Sequence, residues 1–248
     1  MGNSKFLTAI VLVAPLSIPT ITHAALVGRL ALTEGGTDYQ AYYDTEADLT
    51  WLADANAAGI TMNWADANAW VTGLSIDGVT GWRLPDTNPI NGSSYDYAYN
   101  YDGSTDGGYN MSAAGTVYDG SFDSEMAYLF YSTLGNTGFY TTDGTETGCT
   151  PPDYCLTNTG LFINIQTPFT GGYWSATEHD NFVGAPAAWF FSFYDGYQGN
   201  YDITSDVLYA WAVQSGDVAT VSTVPLPASI WLLGSSLIVL IGLAKRKK

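Results

Sequence analysis

The sequence predicts an α+β domain over residues 25–217, and three observations predict it. Apolar and β-branched runs gather towards both ends of that region. Two helical patterns lie between them, and the middle is a long tract of Gly, Asn, Asp, Thr, Ser and Tyr. Early strands, two helices, a loop-rich middle and late strands describe a fold whose ends pair in one antiparallel sheet.

The first strand signals cover residues 26–33 and 41–51. A helix follows with Asn63 as N-cap and runs to Thr72. Trp64, Ala67, Trp70, Val71 and Leu74 recur on one face before Gly73 and the turn Asp77-Gly78. Residues 93–120 are poor in Leu, Ile and Val but carry Tyr95, Tyr97, Tyr99, Tyr101, Tyr109 and Tyr118. Tyrosine packs its ring and solvates its hydroxyl, so this tract reads as an ordered surface loop. The second helix starts at Asp123 as N-cap, places Met126, Leu129, Phe130 and Leu134 on one face, and stops at Gly135-Asn136. Late strands cover residues 172–176, 188–194 and 209–214, with Trp189, Phe191 and Phe193 facing one core. Tyr194-Asp195-Gly196-Tyr197 reads as a hairpin turn. Trp51, Trp64, Trp82, Trp174, Trp189 and Trp211 fall in regular elements and are assigned to the core.

Both chain ends carry targeting grammar. Residues 1–24 combine Lys5, an apolar run broken by Pro15 and Pro19, and a small-residue stretch ending at Ala24, which reads as a cleavable signal peptide. Residues 228–244 hold no charge and are followed at once by Lys245, Arg246, Lys247 and Lys248. That run is at the short end of a membrane span of about 20 residues, and its basic flank is expected to stay cytoplasmic. Residues 218–227 then form a linker, and the domain lies outside.

Removing the terminal segments leaves Arg29 and Arg83 against all 24 acids, a formal charge of −22. Such a surface repels nucleic acid and other polyanions and suits divalent cations, cationic partners or solubility outside the cell. Cys149 and Cys155, the only cysteines, share a Gly/Pro/Thr-rich loop in what this topology makes an oxidising compartment, so a local disulfide is expected. Zinc or thiol chemistry would need histidines nearby, and His179 is the one left after export.

Four blocks carry a family resemblance: Leu49-Thr50-Trp51-Leu52, the helix around Trp64-Ala65-Asp66-Ala67, Gly81-Trp82-Arg83-Leu84-Pro85, and Tyr173-Trp174-Ser175-Ala176-Thr177 followed by Ala188-Trp189. Their order and spacing resemble the Lcl C-terminal-type domains of bacterial exported proteins. That resemblance implies a C-type-lectin-like fold with sheet-paired termini and a long variable loop region. The chain departs from the family after the Trp-Arg-Leu-Pro block, where Asp86-Thr87-Asn88-Pro89 leads into the Tyr/Gly-rich loop. Some members are adhesins for sulfated glycosaminoglycans, which need cations this domain lacks. Val224, Pro225, Leu226 and Pro227, with the apolar run and basic tail behind them, resemble a PEP-CTERM sorting signal. That second resemblance implies processing by an exosortase-type enzyme and a link to exopolysaccharide and biofilm matrix.

Three constellations bear on chemistry. Asp102, Ser104 and Asp106 space oxygen ligands at alternate positions before Gly107, as a Ca²⁺ loop begins, although the EF-hand's closing Glu is replaced by Ala113. Tyr97, Tyr99 and Tyr101, beside Asp and Asn, supply what sugar sites use: ring faces to stack on a pyranose and polar groups to bind its hydroxyls. Motifs for a serine nucleophile, a zinc protease or a phosphate loop are missing from the sequence. The leading expectation is a non-enzymatic surface or matrix module whose residues 85–155 carry any glycan or protein contacts. The alternatives are a purely structural matrix protein and a secreted carbohydrate-active enzyme, which would recruit a pair of acids.

Overall fold

The computed structural model describes residues 25–218 apart from Asp153 and Phe182. The expected signal peptide over residues 1–24, the Val224-Pro225-Leu226-Pro227 motif, the expected span over 228–244 and the basic tail all lie outside the described residues. Among the described residues no helix is long and apolar enough to cross a membrane.

The fold is α+β and mostly sheet. Strands β1 (Leu26–Ala31), β2 (Tyr39–Asp44) and β3 (Leu49–Leu52) form an antiparallel meander. Residues 41–51 were expected as one strand, and Asp44 divides them. Its buried carboxylate accepts the backbone N–H groups of Glu46 (3.0 Å) and Ala47 (3.2 Å), turning the chain between β2 and β3. Helix α1 (Trp64–Thr72) has the expected N-cap: the Asn63 side chain accepts from the Asp66 N–H. Ala67 and Val71 are fully buried, and Trp64, Trp70 and Leu74 pack beside them.

Strands β4 (Tyr99–Asn100) and β5 (Gly107–Gly108) come from the tyrosine-rich tract. Helix α2 (Glu125–Tyr128) continues directly into a π-helical stretch over Leu129–Thr133. Its N-cap is Ser124 rather than Asp123, because Asp123 pairs instead with the Ser121 hydroxyl. The one-sided helix expected from the sequence is buried all round, since Glu125, Ala127, Tyr128 and Tyr131 are covered along with Met126, Leu129 and Phe130.

Strands β6 (Tyr173–Glu178), β7 (Ala187–Phe191) and β8 (Gln198–Asp202) follow, and β9 (Val213–Ser215) closes the order. The ends do pair, with β9 antiparallel to β3, but in a four-stranded sheet β1-β2-β3-β9 of their own. The late strands build a second sheet, β4-β5-β8-β7-β6. Residues 209–213 explain the division. Tyr209 bridges to Tyr173 at β6, and Val213 bridges to Arg83 and β3, so this segment joins the two sheets.

Trp211 sits at that join, its ring 5.1–5.6 Å from those of Trp51, Phe162, Tyr173 and Phe193. Its indole N–H donates to the Leu52 carbonyl at 2.8 Å, as Trp174 does to Met62. Trp189 breaks the expected alternation. Phe191 and Phe193 pack on Phe130, whereas Trp189 packs against Tyr95, Tyr97 and His179.

Candidate functional site

The tyrosine tract is held on the second sheet by a few buried polar groups. β4 pairs parallel with β5, and Gly108 pairs antiparallel with Gln198. Gly108 has φ 116°, and a Cβ there would meet the Asn100 carbonyl at 1.9 Å, so only glycine allows the approach. The Gln198 side chain, 1% exposed, donates to the Asp106 carbonyl (2.8 Å) and accepts from the Ser124 hydroxyl. It thereby ties loop, sheet and α2 together.

Asp106 is wholly buried, and its two carboxylate oxygens accept from Ile90 N (2.6 Å) and Asp96 N (2.7 Å). Burial raises its pKa, with those two hydrogen bonds opposing. Asp102 lies nearer the surface and accepts from the backbone N–H and the hydroxyl of Ser104, which lowers its pKa. Of the three expected calcium ligands, Asp102 and Ser104 are therefore brought together by an Asx turn, while the Asp106 carboxylate faces the backbone of residues 90 and 96. Asn110, at φ 65°, donates its carboxamide to the carbonyls of Tyr101 (2.7 Å) and Tyr140 (2.8 Å).

These anchors sort the tyrosines into two patches. Tyr99 and Tyr101 meet edge to face at 5.2 Å and join Tyr109, Tyr140 and Tyr197 in one group. Tyr99 is 52% exposed at its centre, Tyr101, Tyr140 and Tyr197 are half-buried, and Tyr109 is the buried base. The Tyr109 hydroxyl donates to Asp195 (3.2 Å), whose other oxygen accepts from Tyr197 N (3.1 Å). Burial raises the pKa values of Tyr99, Tyr109 and Tyr197, so their hydroxyls remain neutral donors and acceptors at physiological pH. We call this group the platform.

Tyr97, expected beside Tyr99 and Tyr101, lies in the other patch. It stacks on Trp189 (centroids 5.9 Å, planes 7° apart) and meets His179 edge-on at 4.7 Å, with Tyr95 5.6 Å away. The Tyr95 hydroxyl donates to the Thr87 carbonyl at 2.8 Å. Burial, then the charge of Asp106, pushes its pKa up to about 12.

Tyr140, Asp195, Tyr197 and His179 were missed as site residues by sequence reasoning. Tyr197 and Asp195 were legible only as a turn, and Tyr140 carries no local signal for its partners.

Cys149 and Cys155 are joined by a disulfide with Cα atoms 5.1 Å apart, as expected. Arg29 is paired with Asp217, and Arg83 with Glu125 and Asp86, so both cations of the domain are engaged.

No protein-family model matches the chain, and neither a curated protein nor a solved structure matches it.

Proposed function

We propose that the chain is a non-enzymatic exported surface or matrix module, C-type-lectin-like in architecture, that binds a neutral glycan on the platform around Tyr99. The observation that carries this reading is the platform itself. Exposed and half-buried rings offer faces at different angles, while Asp195 and the phenolic hydroxyls stand among them. Rings of this kind stack on the apolar face of a pyranose, and a few fixed polar groups read its hydroxyls. Charge narrows the ligand class: with Arg29 and Arg83 engaged and acids in excess, a sulfated or uronic polymer would meet repulsion.

The signal peptide and the Val224-Pro225-Leu226-Pro227 motif support delivery to the cell surface, with an exosortase-type enzyme as processing partner and matrix exopolysaccharide as the natural ligand source. The alternative is a purely structural matrix protein anchored by residues 228–244. An array of neutral and anionic oligosaccharides, probed with the full chain and its Tyr99→Ala and Tyr101→Ala variants, tests the reading. Binding of neutral members that both variants weaken supports it. Absence of glycan binding leaves the structural-matrix role.

A further inference from the structure

We infer that the cleft beside Tyr95 and Tyr97 is a second saccharide site, in which Trp189 and His179 receive a ligand oxygen once the Tyr97 ring swings aside. The open cleft measures about 580 Å³, and its lining includes Asn91, Ser94, Tyr95, Asp96, Tyr97 and Asn181. The two rings packed against Tyr97 each carry a buried polar atom with no hydrogen-bond partner among the described residues, Trp189 Nε1 and His179 Nδ1. Their residues are 1% and 7% exposed and their rings are 4.4 Å apart.

Leaving such atoms unpaired forfeits the hydrogen bond they make in water, and the buried indoles of Trp174 and Trp211 do find carbonyls. Among the described residues the only other such atom is Gln214 Oε1, an acceptor on β9 in the other sheet, so this patch is where two of them meet. Asn200 Nδ2 lies 3.3 Å from His179 Nε2. With the amide nitrogen as donor, Nε2 accepts and the ring proton sits on Nδ1. Two adjacent rings thus each carry an unpaired N–H donor, and they call for an acceptor oxygen.

The neighbouring charges select among acceptors. Asp106 and Asp180 both act on Tyr97, so a carboxylate or phosphate would be repelled. A hydroxyl or acetamido oxygen of a neutral saccharide meets no such barrier.

Tyr97 is the movable element. Tyr95 is pinned through its hydroxyl to Thr87, whereas Tyr97 is held by ring contacts with Tyr95, His179 and Trp189, and its hydroxyl makes no hydrogen bond among the described residues.

The inference shares with the platform only the reading of the domain as a glycan binder, and its test separates the two. The full chain is titrated with its strongest neutral array oligosaccharide while the indole N–H resonance of Trp189, identified by its loss in Trp189→Phe, is followed by NMR. That resonance is expected to shift on binding. Trp189→Phe, which keeps an aromatic ring but removes the donor, and Tyr97→Ala, which removes the cleft-lining ring that packs on the saccharide once it has swung aside, are each expected to weaken binding about tenfold. Tyr99→Ala should leave the Trp189 shift in place.

Binding that depends on Tyr99 alone, with a stationary Trp189 resonance and unchanged affinity in Trp189→Phe and Tyr97→Ala, overturns the cleft and leaves the platform. Dependence on Trp189 and Tyr97 alone does the reverse. Binding of no neutral oligosaccharide overturns both. Should Trp189→Phe fail to fold, the resonance shift in the parent chain and the affinity of Tyr97→Ala decide the matter.

Discussion

Arg83 grips both carboxylate oxygens of Glu125 at 2.7 Å, one guanidinium nitrogen to each. The same residue is bonded through its backbone N–H and C=O to Val213 at 2.9 Å, so a single position ties the block before Pro85, helix α2 and the closing strand β9. The second Glu125 oxygen also accepts from Asp86 N at 2.8 Å. Glu125→Gln keeps the shape and removes the charge, leaving Arg83 half-buried without its main counter-ion. The expected loss is on the order of 2 kcal/mol in urea unfolding of the full chain. Arg29→Gln breaks a pair nearer the surface and should cost under about 1 kcal/mol. Equal losses would mean that the Arg83 pair is no better placed than an exposed one.

The disulfide predicts a chemical result and a thermodynamic one. Alkylation of the folded chain without prior reduction should label neither Cys149 nor Cys155. Replacing both by Ser should destabilise the chain by about 2 kcal/mol, because a short ring removes modest entropy from the unfolded state. Two labelled thiols on protein recovered from outside the cell would contradict the bond.

Local chemistry was legible in the sequence and long-range pairing was not. Helix α1 was readable because its signals lie within its own turns, from the Asn63 cap to the stop at Gly73. The hairpin turn was equally local, with Tyr197 N on Asp195 and Ser192 N on the Tyr197 carbonyl. The N-cap of α2 was misplaced by one residue because Asp123 accepts from the Ser121 hydroxyl instead, while Ser124, the actual cap, spends its hydroxyl on Gln198, 74 positions away. The separation of Tyr97 from Tyr99 and Tyr101 arises in the same way. It follows from the pairing of Gly108 with Gln198 and from the docking of Trp189 under Tyr97, neither of which leaves a trace in spacing.

His179 predicts a pH dependence with a definite sign. Burial holds the imidazole below its ordinary 6.5, with the nearby backbone of His179 itself and Asp180 opposing. The folded state thus favours the neutral ring, and the unfolded chain binds a proton more readily. Stability from this source is complete above about pH 6.5 and declines as the pH falls from the unfolded value towards the lower folded one. The full chain should therefore lose stability between about pH 7 and 5.5 more steeply than a His179→Gln variant. Parallel curves would show that His179 is not held neutral by the fold.

A loop built around a metal and one built by hydrogen bonds respond differently to a chelator. Asp106 closes the tract by accepting from Ile90 N and Asp96 N, and Gln198 holds the Asp106 carbonyl. Asn at position 106 presents only one acceptor oxygen to two N–H groups, so Asp106→Asn should cost about 2 kcal/mol and weaken glycan binding with chelator as much as without. Asp102→Asn touches only the Asx turn to Ser104 and should change stability by less than about 0.5 kcal/mol. Because the hydrogen bonds already fix the path from Tyr95 to Tyr109, glycan binding by the parent chain is expected to survive EDTA. Calorimetry with millimolar Ca²⁺ on the parent chain and on Asp102→Asn completes the experiment. Binding that EDTA abolishes, together with calcium uptake that Asp102→Asn removes, would make Asp102, Ser104 and Asp106 a working calcium site, and the platform would then owe its shape to the ion.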